Sequence, residues 1–189
     1  VEEFGAVGNG ATNDRAAIQA ALDSGAKIVH LRAKNYRINT GLTFPAGVQL
    51  IGEGLANTTL TLGADITPFN VTNVNDTNVE DILVVVHAAQ TAPIYLLTAS
   101  TVTVTRNTSS RIQVSSAPLA FEAIKITAGG GYGAWANHFS EWTFGGAGTI
   151  VKLGTTTAGS WVRENTFSKF RVDDFLYGID VLNTAGDGA

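Results

Sequence analysis

The 189-residue chain contains no cysteine and no methionine. The first absence excludes disulfides and thiolate-held metals and leaves the redox compartment open. The second, which extends to an initiator, fits a processed product, a domain cut from a longer chain, or the traceable part of one. Charge is scarce as well: Asp, Glu, Lys and Arg make up 15% of the residues, against about 25% in an average soluble protein. With a net charge of −4 and a pI near 5.3 there is no basic stripe to meet a phosphate backbone, so a nucleic-acid partner is not expected. No apolar run is long enough to cross a bilayer and no signal peptide is present, so no membrane partner is expected either. What remains is glycine (21 residues) with abundant Thr, Val and Asn, a composition that suits stacked β-coils better than helices. The length is enough for one sizeable core.

The segment Val1 to Gly25 sets the start of the fold. Gly5, Gly8 and Gly10 supply a tight loop, and Asn13 or Asp14 can accept hydrogen bonds from the free amides of a first helical turn. Ala17, Ile18, Ala21 and Leu22 fall at helical spacing and Gly25 ends the helix. A helix of about three turns is marginal alone, so its stripe must lie on something. The runs 27–31, 36–38, 47–51 and 60–62 then read as strands separated by turn residues. Phe4-Gly5-Ala6 through Gly8-Asn9-Gly10, Thr12-Asn13-Asp14 and Ala16 to Ala21, with the later run Pro45 to Gly54, resemble the opening of pectate-lyase-like right-handed parallel β-helix proteins. The resemblance implies an N-terminal loop and capping helix over residues 1–26, and an all-β right-handed parallel β-helix over 27–189. Residues 183–189 read as a Gly-rich turn with nothing to cover the end of a stack, so we expect coils beyond Ala189.

Repeats support a solenoid. The pairs Ile94/Leu96, Ile124/Ile126, Val151/Leu153 and Ile179/Val181 are separated by 30, 27 and 28 residues. A second series runs Val79, Ile82, Val84, then Phe139, Trp142, Phe144, then Phe167, Phe170, Val172. The skipped coil falls near Val102 to Val114, where the motif is lost. Stacking at this period places Asp81, Glu141 and Lys169 in one outer column, His138 on Thr166, and Trp135 near the column of Arg163.

Glycan cleavage needs two carboxylates across the scissile bond, whereas a lyase needs a base beside a neutralised uronate. Candidates are Glu122, Glu141, Glu164, Asp173, Asp174 and Asp180. Glu141, between Trp135 and Trp142 and beside His138, leads as catalytic acid or base, although an ion pair with Lys169 one coil away is the plainer account. Asp173-Asp174 matches the Asp pair of pectin-hydrolysing β-helices, but their Asn-Thr-Asp, Gly-His-Gly and Arg-Ile-Lys motifs are missing, and a polar turn is the plainer account. Tyr132, Trp135, Trp161 and Tyr177, with His138 and Arg163, have the chemistry to hold a sugar; Trp142 belongs to the core. His30 reads as a satisfied structural histidine and His87 as a strand exit. Three scattered histidines make no metal site. Gly129 to Gly131 with Gly133 reads as a flexible bulge rather than a phosphate loop.

The run Ser160 to Phe167 and the stretch Phe175 to Asp180 look most like bacteriophage tailspikes and related virion depolymerases. That resemblance implies a homotrimer, a virion-tail or extracellular setting, and a bacterial surface polysaccharide that the chain binds and degrades. A non-catalytic spike segment, and a secreted lyase or epimerase acting on uronates, stay open beside it. No cofactor is expected, except Ca²⁺ for a lyase.

Overall fold

The computed structural model describes residues 1–115, 121–145, 147–172 and 175–183. They form a parallel β-solenoid of about six turns carrying one short α-helix, as the resemblance implies. Three sheets make its walls. The first sheet is ten-stranded and includes Asn35–Ile38, Thr59–Leu62, Asn78–Val85, Thr108–Val114 and His138–Phe144. The second is six-stranded, with Phe69–Thr72, Tyr95–Ala99, Glu122–Ala128, Ala147–Thr155 and Phe175–Asn183 among its members. The third holds Val104–Thr105, Gly133–Trp135 and Trp161–Arg163.

The helix Arg15–Asp23 lies over the first coil and buries Ile18, Gln19, Ala21 and Leu22. Gln19 does more than pack. Its side-chain amide accepts from Thr43 N (3.0 Å) and donates to Thr43 O (2.9 Å), so it pairs with that residue as a neighbouring strand would. Asn13 does accept from Arg15 N (3.3 Å) at the start of the helix. Asp14 does not cap it; its buried carboxylate takes Val7 N (2.7 Å) and Gly8 N (3.1 Å) instead. That anchors the glycine segment, which is not wholly loop: Asn9–Asn13 is a strand paired with Asn35–Ile38. Gly25 takes the left-handed conformation expected beyond the helix (φ +85°). At the same end Tyr36 Oη donates to Glu2 Oε1 (2.5 Å), and Arg32 and Lys34 lie 3.6 Å from that carboxylate.

Inside, side chains recur coil over coil. Phe139 stacks on Phe167 (centroids 5.4 Å apart, planes at 11°) and Val151 pairs with Ile179. The missing coil is Thr108–Val114, where Ser109, Ile112 and Val114 stand in register with Val79, Ile82 and Val84 above and Phe139, Trp142 and Phe144 below. Ser109 hides the motif, yet it is buried and donates to Val79 O (3.0 Å). The 94/96 register expected from spacing is one residue off: Tyr95 and Leu97 pair with Ile124 and Ile126. Both Ala123 and Ile124 are buried, so inward alternation slips at that point. In the first sheet the inward spacing of three, as in Phe139 and Trp142, comes from an outward residue in the left-handed region: Asp81 (φ 61°), Arg111 (49°), Glu141 (58°) and Lys169 (55°).

Candidate functional site: an aromatic wall at the third sheet

The corner from third to first sheet is fixed by a buried ladder. Asn107 Oδ1 accepts from Thr77 N (3.1 Å), Asn137 Oδ1 from Asn107 N (3.0 Å), and Asn165 Oδ1 from Asn137 N (3.2 Å). Side-chain amides link the same residues, Asn107 Nδ2 to Asn137 Oδ1 (3.1 Å) and Asn137 Nδ2 to Asn165 Oδ1 (2.8 Å). Since each amide both donates and accepts, one residue type repeated per coil satisfies every corner. The ladder holds the strands on either side of the turn at fixed spacing.

On the outer face of the third sheet this brings together four of the sugar-binding candidates. Trp135 pairs in register with Arg163, and Gly133 with Trp161. The two indoles meet edge to face, with centroids 6.4 Å apart at 62°. The Arg163 guanidinium lies 4.4 Å from the centre of Trp161, a cation over a π face. Gly133 is required here: any Cβ would run into the Trp161 ring, which rests on its backbone. Tyr132, 38% exposed, precedes the strand. The adjoining glycine turn is not a loose bulge. Gly129 N bonds Ala99 O (2.7 Å), and Gly130 N and Gly131 N bond Thr157 Oγ1 (2.8 Å) and Ser160 Oγ (3.0 Å) of the next coil.

Around the corner, His138 Nδ1 hydrogen-bonds Thr166 Oγ1 and is exposed. Glu141 belongs to a ladder of alternating charge. Arg111 grips Asp81 through two bonds (2.6 and 2.8 Å) and also reaches Glu80 (3.0 Å). Lys169 donates to Glu141 (2.9 Å). That hydrogen bond, the Lys169 charge and the more distant Arg111 hold the Glu141 carboxyl below its ordinary range. Such a group is ionised at neutral pH, which rules out the acid role there, while the Lys169 pairing that lowers it also weakens it as a base. Spacing had missed Arg111, whose coil lacks the aromatic motif.

Asp173 and Asp174 lie outside the described residues, and Tyr177 is placed by its backbone alone, opposite Thr149. Glu122, on the second sheet, is held by Lys125 (3.0 Å) and Lys152 (2.7 Å). His30 is exposed rather than enclosed, because it faces outward from Ile28–Leu31; His87 Nδ1 accepts from Ala89 N (3.3 Å). No three acidic or histidine side chains converge to hold a metal among the described residues, so those residues do not form a carboxylate cage for the Ca²⁺ that a lyase would call for. No described helix is long and apolar enough to cross a membrane.

Comparison with known proteins agrees with this architecture. Over 71 residues, 32% of this chain, the sequence is 39% identical to mannuronan C5-epimerase AlgE3 of Azotobacter vinelandii, and over 73 residues 38% identical to AlgE5 of the same organism. These matches span only 4% and 7% of those relatives. Among solved structures, the A-module of Azotobacter vinelandii mannuronan C-5 epimerase AlgE6 superposes with a TM-score of 0.55 at 17% identity, covering 90% of this chain and 56% of that one. A putative glycosyl hydrolase from Parabacteroides merdae gives 0.54 at 14% identity, with 91% and 94% coverage. At such identities the likeness is one of fold. The family model described as rhamnogalacturonase A/epimerase, pectate lyase-like, matches residues 1–180, and the chain belongs to that family.

Proposed function

We propose that this chain is the polysaccharide-acting part of a tailspike-type protein, which binds an extended bacterial surface glycan on its wall and degrades it. The observation that carries the reading is the Trp135, Trp161 and Arg163 group on the outer face of the third sheet. Indole faces are apolar and rigid and take the C–H faces of sugar rings, while a guanidinium supplies directed N–H donors. A straight β-wall offers such groups along one line, the form an extended chain needs. In this reading Glu141 serves as base, Tyr132 and His138 extend the contact surface, and the protein works as a homotrimer in a virion or extracellular setting. Asp173 and Asp174 are the further carboxylates a two-carboxylate mechanism would draw on. A second reading, a secreted uronate lyase or epimerase, is favoured by the stretch shared with the mannuronan epimerases.

The test is incubation with capsular, O-antigen, alginate and pectate preparations, followed by oligosaccharide analysis and absorbance of unsaturated ends. Release of saturated oligosaccharides from a surface glycan is expected. Unsaturated or epimerised uronate products would move the assignment to the second reading, and glycan retention without product would leave a binding module. Trp135→Ala should weaken retention about tenfold, ~1.4 kcal/mol, as loss of an interface aromatic does. A Glu141→Gln variant with full activity would remove that residue from the mechanism.

A further inference from the structure

One carboxylate beside the aromatic wall breaks the pattern of its column. Four successive coils enter the first sheet through a single left-handed residue: Asp76 (φ 62°), Arg106 (56°), Ala136 (53°) and Glu164 (54°). The upper two neutralise each other through bonds of 2.6 and 2.8 Å. Ala136 then carries no charge, so Glu164 has no cation in the coil above it. Among the described residues nothing hydrogen-bonds the Glu164 carboxylate, and its ionic contact is Arg163 Nε at 3.9 Å, with side chains 61% and 63% exposed. A non-glycine residue in this backbone region is uncommon and costs energy. At Asp76 and Arg106 an ion pair spans the two coils; at Glu164 the ionic contact among the described residues is the neighbouring Arg163 alone.

The patch is also electrically balanced. Arg163 and Glu164 cancel, and Tyr132, Trp135 and Trp161 are neutral. A carboxylated sugar seated on the indoles would face the Glu164 carboxylate. A neutral sugar with two adjacent hydroxyls would instead donate one hydrogen bond to each carboxylate oxygen, accept from Arg163, and lay its apolar face on the neighbouring Trp135. We propose that Glu164 and Arg163 make this part of the wall a subsite for a neutral sugar residue bearing a free vicinal diol. The proposal rests on the reading of the wall as a glycan-binding surface and names the sugar class it takes.

The experiment uses the whole chain and follows indole fluorescence, in which the fully buried Trp142 contributes a constant background. The probes are dextran, galactan and mannan as neutral glycans, the same glycans after periodate oxidation and borohydride reduction to open their diols, and alginate and polygalacturonate as anionic ones. A neutral glycan should perturb the fluorescence, its oxidised form should not, and Glu164→Gln should weaken binding about tenfold with an unchanged circular dichroism spectrum. Tighter binding of an anionic glycan, strengthened by Glu164→Gln, would overturn the sugar class and leave the glycan wall standing. Neutral-glycan binding indifferent to both periodate and Glu164→Gln would remove Glu164 from the site. If no probe perturbs the fluorescence, the glycan wall itself fails.

Discussion

Replacing Asn137 by alanine tests the corner on which the wall is built. Asn137 is wholly buried and accepts from Asn107 N (3.0 Å) and Asn107 Nδ2 (3.1 Å) while its own Nδ2 donates to Asn165 Oδ1 (2.8 Å). After truncation Asn107 Nδ2 still has Val74 O (3.1 Å), and Asn165 Oδ1 keeps Asn137 N (3.2 Å). Asn107 N has nothing, and Asn107 is itself fully buried. One orphaned buried donor costs about 1–3 kcal/mol, and the two lost side-chain bonds about 1 kcal/mol each, giving a sum of about 3–5 kcal/mol. Asn165 is only half-buried. Its removal still orphans Asn137 N and Nδ2, which solvent entering at the half-buried end only partly serves, so Asn165→Ala should cost about 2–4 kcal/mol. Urea denaturation followed by circular dichroism, with both variants and the parent at equal concentration, reads the two midpoints. Equal small shifts, under about 1 kcal/mol for both, would show that the amides are not the bonds that hold the corner.

Two further outcomes follow from other parts of the chain. Burial works against the Glu2 charge, yet the Tyr36 hydroxyl and the nearby Val1 amine and Lys34 hold its pKa down at about 2; a lowered carboxyl stabilises above its ordinary value of 4.5, so melting temperature should fall as pH drops from there toward about 2, and Glu2→Gln should flatten that stretch of the profile. Gly133→Ala should push the Trp161 ring off its seat and away from Arg163, costing about 1–3 kcal/mol of stability and changing the Trp fluorescence before any ligand is added; an unchanged spectrum would refute the seat.

Much of the solenoid could be read from the chain because inward residues are large and recur. Phe139 and Phe167 stack as their 28-residue spacing requires, and the helix ends where Ile18, Leu22 and Gly25 place it. What failed to show did so for local reasons. Ser109 takes an inward position with a hydroxyl bonded to a backbone carbonyl, so hydropathy passes over it. The Asn9–Asn13 strand is mostly exposed, with Gly10 as its second residue, and carries no apolar alternation. Adjacent buried residues in both coils, Ile94 with Tyr95 and Ala123 with Ile124, hide which one begins the inward alternation, so a count of apolar pairs picks Ile94/Leu96 where Tyr95/Leu97 face inward. The amide ladder was visible as Asn137 and Asn165 in matching text, but Asn107 sits in the coil whose motif is lost.

The same reasoning explains why carboxylates were hard to sort. Strands stack about 4.8 Å apart, and at that distance two like charges repel by about 1 kcal/mol in water and more near a protein surface. An outer column therefore tends to alternate in sign, as Asp81, Arg111, Glu141 and Lys169 do. A carboxylate inside such a column is accounted for by the coils above and below it, and its presence says little about chemistry. The informative positions are those where alternation stops without a partner. Glu141, singled out by its aromatic neighbours in sequence, lies inside a complete column. Glu164, beneath Ala136 and beside the guanidinium on Trp161, lies where alternation stops in the coil above, and among the described residues no hydrogen bond fills its carboxylate, which leaves lone pairs for a ligand to satisfy.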